Sequence, residues 1–136
     1  MILVVEDNAI IAMQVEMDLE DAGHAVQGPV PRAAPAVGLA DRQAPSLALV
    51  DVDLAGGDNG IDLVTVLFER FGVRSLYLTG QNTAVEATGG AALGVISKPF
   101  GPGIVERAVT AALAHIDHGT PLPPIGGVRW FEVTAV

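Results

Sequence analysis

The chain has 136 residues, enough for one domain of ordinary size and no second one. Seven Lys and Arg against sixteen Asp and Glu leave a formal net charge of −9, which repels a phosphate backbone and argues against direct nucleic-acid binding. Half of the residues are apolar and none is cysteine, so a packed core is expected, while disulfides, thiolate metal sites and thiol catalysis are excluded. No apolar run approaches the roughly 18 residues of a membrane span. Met1 leads into a strand-like run with no basic segment, so a cytoplasmic protein without signal peptide or membrane contact is expected.

In chain order, Ile2–Val5 predicts a strand, and Asn8–Ala22 a helix with Ile11, Val15 and Leu19 spaced by four and Gly23 as its stop. Ala25–Val30 predicts a weak second strand. Pro31, Pro35 and Gly38 make any helix over Pro31–Gln43 short or irregular. Leu47–Val52 is a clean apolar strand, running through Asp53 and Leu54 into a turn over Ala55–Gly60. A helix over Ile61–Phe71, a strand over Ser75–Thr79 and a short helix over Asn82–Thr88 follow. A last strand is expected over Val95–Ser97, and a helix over Ile104–Ile116 with Val105, Val109 and Leu113 on one face. Strands alternating with helices predict an α/β fold with a parallel sheet. From about Asp117 onward, Pro121, Pro123 and Pro124 with Gly119, Gly126 and Gly127 read as linker, ahead of an apolar Val128–Val136.

Parallel sheets bind ligands beyond the carboxyl ends of their strands. The polar residues of this chain fall at that edge: Glu6 and Asp7 end the first strand, Asp51 the third, Thr79 the fourth and Lys98 the last. Two carboxylates at ~5 Å and an effective dielectric of ~20 repel by roughly 3 kcal/mol. Such a cluster raises its pKa values or binds a cation. With only oxygen ligands on offer, Mg²⁺ (or Mn²⁺) suits it better than zinc. A metal and Lys98 would neutralise a phosphoryl group, Thr79 would donate to one of its oxygens, and Asp51, central among the strands, is best placed to accept it as an aspartyl phosphate.

The motifs ILVVEDN, LALVDVDL, YLTG and ISKPF, in this order, resemble those of the response-regulator receiver domains of two-component signalling. The resemblance covers residues 1–117, leaving 118–136 as a Pro/Gly-rich tail with an apolar end. It implies a flavodoxin-like, doubly wound (βα)5 three-layer sandwich with a parallel five-stranded sheet. Asp51 would be the phosphoacceptor, with Asp7 and Asp51 on Mg²⁺, Glu6 acting mainly through water and Asp53 through its backbone carbonyl. Thr79 would hydrogen-bond the phosphoryl group, Lys98 would pair with it, and Lys98–Pro99 would be a cis peptide. The implied partners are a sensor histidine kinase or phosphotransfer protein, a downstream protein, and a second copy where such domains dimerise through their last two βα units. The chain would catalyse only its own phosphorylation and dephosphorylation.

Departures are also visible. Glu6 replaces the commoner Asp, the loop Ala55–Gly57 lacks a frequent proline and should be looser, and Val95 stands where many receivers carry Tyr or Phe. The loop GGDNG resembles that of single-domain receivers associated with one subgroup of histidine kinases. The rival reading is a haloacid-dehalogenase-type phosphatase using Asp51 and Asp53. That class opens on its DxD strand, whereas here a full βα unit precedes it. His24, His115 and His118 have no partner at metal-ligand spacing, and Met13 and Met17 read as packing residues of the first helix. Trp130 and Phe131 need burial, either by adding a strand at a sheet edge or by packing on the last helix.

Overall fold

The computed structural model describes residues 1–80 and 91–131. Its elements are β1 (Ile2–Val5), α1 (Ala9–Asp21), β2 (Val26–Val30), α2 (Ala33–Arg42), β3 (Leu47–Asp51), α3 (Gly60–Phe71), β4 (Ser75–Thr79), β5 (Ala92–Ser97), α4 (Ile104–His118) and β6 (Val128–Trp130). The sheet runs in the order β2-β1-β3-β4-β5-β6, parallel throughout except for the antiparallel β5–β6 pair. The first five positions have the doubly wound 2-1-3-4-5 order. The sixth strand is the addition to the expected five, supplied by the segment that reads as linker and apolar tail.

Every residue of β1, β3 and β4 is buried, as strands covered on both faces require. One face carries α2 and α3 over Val5, Val50 and Tyr77; the other carries α1 and α4 over Val4, Leu49 and Leu76. Local signals set several boundaries. The Asn8 side chain accepts the Ile10 and Ile11 N–H groups at 3.0 and 3.1 Å, and Asn59 accepts that of Ile61 at 2.8 Å, so both residues are N-caps. Gly72, at φ 67°, ends α3 in the left-handed conformation that glycine tolerates best.

Three expectations need correction. The segment with Pro35 and Gly38 is a regular ten-residue helix, α2. Pro35 is its third residue, where a helix has no use for the missing N–H, and the start is capped from elsewhere: the Asp58 carboxylate accepts the Ala33 N–H at 2.9 Å. β5 begins at Ala92 rather than Val95, because neighbouring strands on both sides satisfy its backbone despite Gly94. Met13 and Met17 are not packed but 54 % and 56 % exposed. Each lies two residues from buried Val15, which is the far side of a 3.6-residue turn. The short helix expected over Asn82–Thr88 lies outside the described residues.

Candidate functional site

Four strand ends meet at the carboxyl edge of the sheet. The registers Val5↔Val50, Asp51↔Leu78 and Thr79↔Ser97 bring the last residues of β1, β3, β4 and β5 level. Glu6 leaves β1 with its N–H bonded to the Val30 carbonyl at 3.0 Å, and its side chain is buried. One carboxylate oxygen accepts the Asn8 N–H at 3.2 Å; the other meets Lys98 Nζ at 2.5 Å. Asp51, also buried, accepts the Asp53 N–H on Oδ1 at 3.2 Å and faces Lys98 Nζ across 3.2 Å on Oδ2. Thr79 is buried at the end of β4, and its carbonyl accepts the Lys98 N–H at 2.7 Å. The Lys98–Pro99 peptide is cis, as the resemblance implies.

Oxygens of Glu6, Asp7 and Asp51 all lie within 4.8 Å of one another. Asp7 is exposed, so the cluster opens to solvent on that side. The charges do not balance: three carboxylates face one ammonium. Burial, then hydrogen bonding to Asp51, raises the Glu6 carboxyl to about 7, against the opposing pull of Lys98 and the Asn8 N–H. Burial by itself would lower the Lys98 ammonium, but its bonds and attraction to Glu6 and then Asp51 prevail and raise it. A crowded set of hard oxygen donors with surplus negative charge fits Mg²⁺. Asp53 is the fourth residue expected around the metal, through its backbone carbonyl. It is exposed and paired with Asn59 in an isolated antiparallel bridge, leaving its N–H on Asp51.

Some features of the site were not visible in the sequence. A Cβ on Gly60 would collide with the Asp51 carbonyl, so the chain returns past the site only because residue 60 has no side chain. The loop over Ala55–Gly57 is a single 3₁₀ turn with Gly56 and Gly57 at positive φ, and Asp58 ties it to α2. Helix α1 is flanked by two concavities of about 320 and 330 Å³. The first reaches Glu6, Asp7 and Pro29; the second reaches Gly80, Lys98 and Phe100. Between them Ile10, Met13 and Met17 form an exposed apolar stripe. The only advance signal was their three- and four-residue spacing.

Comparison with known proteins agrees with this geometry. The family model of the response regulator receiver domain matches residues 2–110. The chain is 33% identical over 114 residues to the phyllosphere-induced regulator PhyR of Methylorubrum extorquens, covering 82% of this chain and 43% of PhyR, so it spans less than half the length of that relative. Among solved structures, it resembles the receiver domain of NtrX from Brucella abortus with a TM-score of 0.73 at 26% identity, over 83% of this chain and 98% of the other. It resembles the PhyR receiver domain of Erythrobacter litoralis with a TM-score of 0.71 at 26% identity, over 90% and 95%. The fold and the site define a receiver domain of two-component signalling. The chain belongs to the response regulator receiver domain family.

Proposed function

We propose that this receiver takes a phosphoryl group from a histidine kinase or phosphotransfer protein onto Asp51, with Mg²⁺ bound by Asp7 and Asp51. The observation that carries this reading is a buried Asp51 held level with Lys98, Thr79 and two further carboxylates at one sheet edge. A bound Mg²⁺ would offset the negative charge gathering on the transferred group. Glu6 would act on the metal through water, and Asp53 through its backbone carbonyl. An Asp51 carboxylate oxygen attacks phosphorus as the P–N bond to the donor histidine breaks, and the imidazole keeps the bond's electron pair. Lys98 then pairs with the phosphoryl oxygens, and the Thr79 hydroxyl donates to one of them. The chain thus catalyses only its own phosphorylation and dephosphorylation.

The apolar stripe on α1, bordered by two concavities that reach site residues, suits the phosphodonor protein. A cytoplasmic location goes with that donor, and output passes by contact with another protein. Family membership leaves the phosphatase alternative without support. The test is treatment with a small phosphodonor and Mg²⁺, followed by intact mass. Wild type should gain one phosphoryl group per chain and Asp51→Asn none. Equal labelling of both would overturn the assignment, and sustained catalytic phosphate release would point back to a phosphatase.

A further inference from the structure

The family match ends at residue 110, yet the chain beyond α4 is tied to the two strands that deliver Thr79 and Lys98. The Ser97 N–H, one residue before Lys98, bonds the Gly127 carbonyl at 2.9 Å. β6 then pairs along β5 through Val128, Arg129 and Trp130, and the Phe131 N–H closes on the Leu93 carbonyl at 2.9 Å. A Cβ on Gly94 would lie 2.7 Å from the Arg129 carbonyl oxygen and 2.9 Å from the Trp130 ring, so this approach depends on glycine. The segment is fastened again by the Trp130 indole N–H on the Pro123 carbonyl at 2.6 Å and by buried Ile125.

Phe131 carries the contact across to β4. It is only 8 % exposed, and its ring meets Tyr77 edge-on at 6.4 Å and 67°. Tyr77 is fully buried and stands two residues before Thr79, so both side chains lie on one face of the sheet. The Arg129 guanidinium covers the Phe131 ring at 5.2 Å. One short segment therefore braces β5 along its edge and β4 through a ring. Without it β5 would be an edge strand with a single neighbour, and Thr79 and Lys98 would be less firmly held.

We propose that Phe131 is a positioning residue of the phosphoacceptor site, setting through Tyr77 and the β5–β6 ladder where Thr79 and Lys98 meet the phosphoryl group. This rests on phosphorylation of Asp51. It separates two functions of the site. Glu6 and Asp7 follow β1 and Asp51 ends β3, and neither strand pairs with β6. Loss of the ring should therefore spare metal binding and slow phosphoryl uptake.

The experiment uses the full chain and measures Mg²⁺ affinity by titration and uptake from a small phosphodonor. Phe131→Ala should keep its Mg²⁺ affinity within about twofold and slow uptake about tenfold, since small displacements of reacting groups cost rate steeply. Phe131→Leu, which retains most of the volume, should slow uptake only about threefold at unchanged Mg²⁺ affinity. Uptake at the wild-type rate in both variants overturns the proposal, as does a parallel loss of metal binding and uptake in Phe131→Leu. If wild type itself takes up no phosphoryl group, the phosphoacceptor reading fails, and the positioning role is read from amide chemical shifts with Mg²⁺ bound. Phe131→Leu should then move the Thr79 and Lys98 resonances and leave those of Glu6 and Asp7 in place; unmoved Thr79 and Lys98 overturn it.

Discussion

At the carboxyl end of the sheet, Glu6 and Asp51 are buried beside a single ammonium, and the surplus negative charge has no partner among the described residues. Along the β5 edge the opposite holds. Its peptide groups are paired by β6, its glycine admits the neighbouring backbone, and its aromatic rings are seated. The first region carries a cost that a ligand can remove, whereas the second is satisfied by the chain itself. Substitutions should sort accordingly: at the carboxyl end they change metal binding, whether by removing charge or by moving the backbone under Asp51, and along the edge they lose stability with the metal site intact.

The largest effect should come from Gly60, where a methyl group has no space beside the Asp51 backbone. Gly60→Ala should cost about 4 kcal/mol in urea unfolding and also weaken Mg²⁺ binding, because the strand end that carries Asp51 must shift. An effect on stability with Mg²⁺ binding unchanged would show that this glycine serves packing only.

Next comes pH. The folded Glu6 carboxyl sits at about 7, above its ordinary 4.5. The folded protein therefore holds a proton that the unfolded chain has released, and stability falls as pH rises from near 4.5 through 7. The loss should be on the order of 3 kcal/mol without metal, at roughly 1.4 kcal/mol per unit. Glu6→Gln should flatten that part of the stability–pH curve, and an unchanged slope would place the proton elsewhere.

Gly94→Ala tests the edge. Its methyl group would press on Arg129 and Trp130 and loosen β6, for a loss of about 2 kcal/mol. The Trp130 emission should move to longer wavelength while Mg²⁺ affinity holds. Falling Mg²⁺ affinity would erase the contrast between the two regions. The smallest effect belongs to exposed Asp7. Asp7→Asn should remove most of the rise in Tm that Mg²⁺ produces by binding the folded state, and raise metal-free stability by less than about 1 kcal/mol. A full Mg²⁺ response in this variant would take Asp7 off the metal.

Much of this was legible because strand endings are local events. Ile2–Val5 and Ser75–Thr79 occur where the apolar runs place them, and the polar residue that ends each run necessarily stands at the sheet's carboxyl edge. Helix α2 is hidden from a linear reading because its cap, Asp58, comes from 25 residues away. The exposure of Met13 and Met17 is hidden as well, because composition says what a side chain prefers to bury, not which side of a helix faces the sheet.

Local pattern settles the alternation of strands and helices, the family, and which carboxylates, hydroxyl and amine arrive at one edge. Periodicity and strand termini depend on neighbouring residues, so a linear reading reaches them. The packed chain adds what that pattern lacks: residues 128–130 form a sixth strand, Phe131 reaches Tyr77, and burial raises the Glu6 carboxyl to about 7. Each of these depends on groups distant in the chain excluding water from one another, and neither burial nor the field of a remote charge is encoded in local pattern.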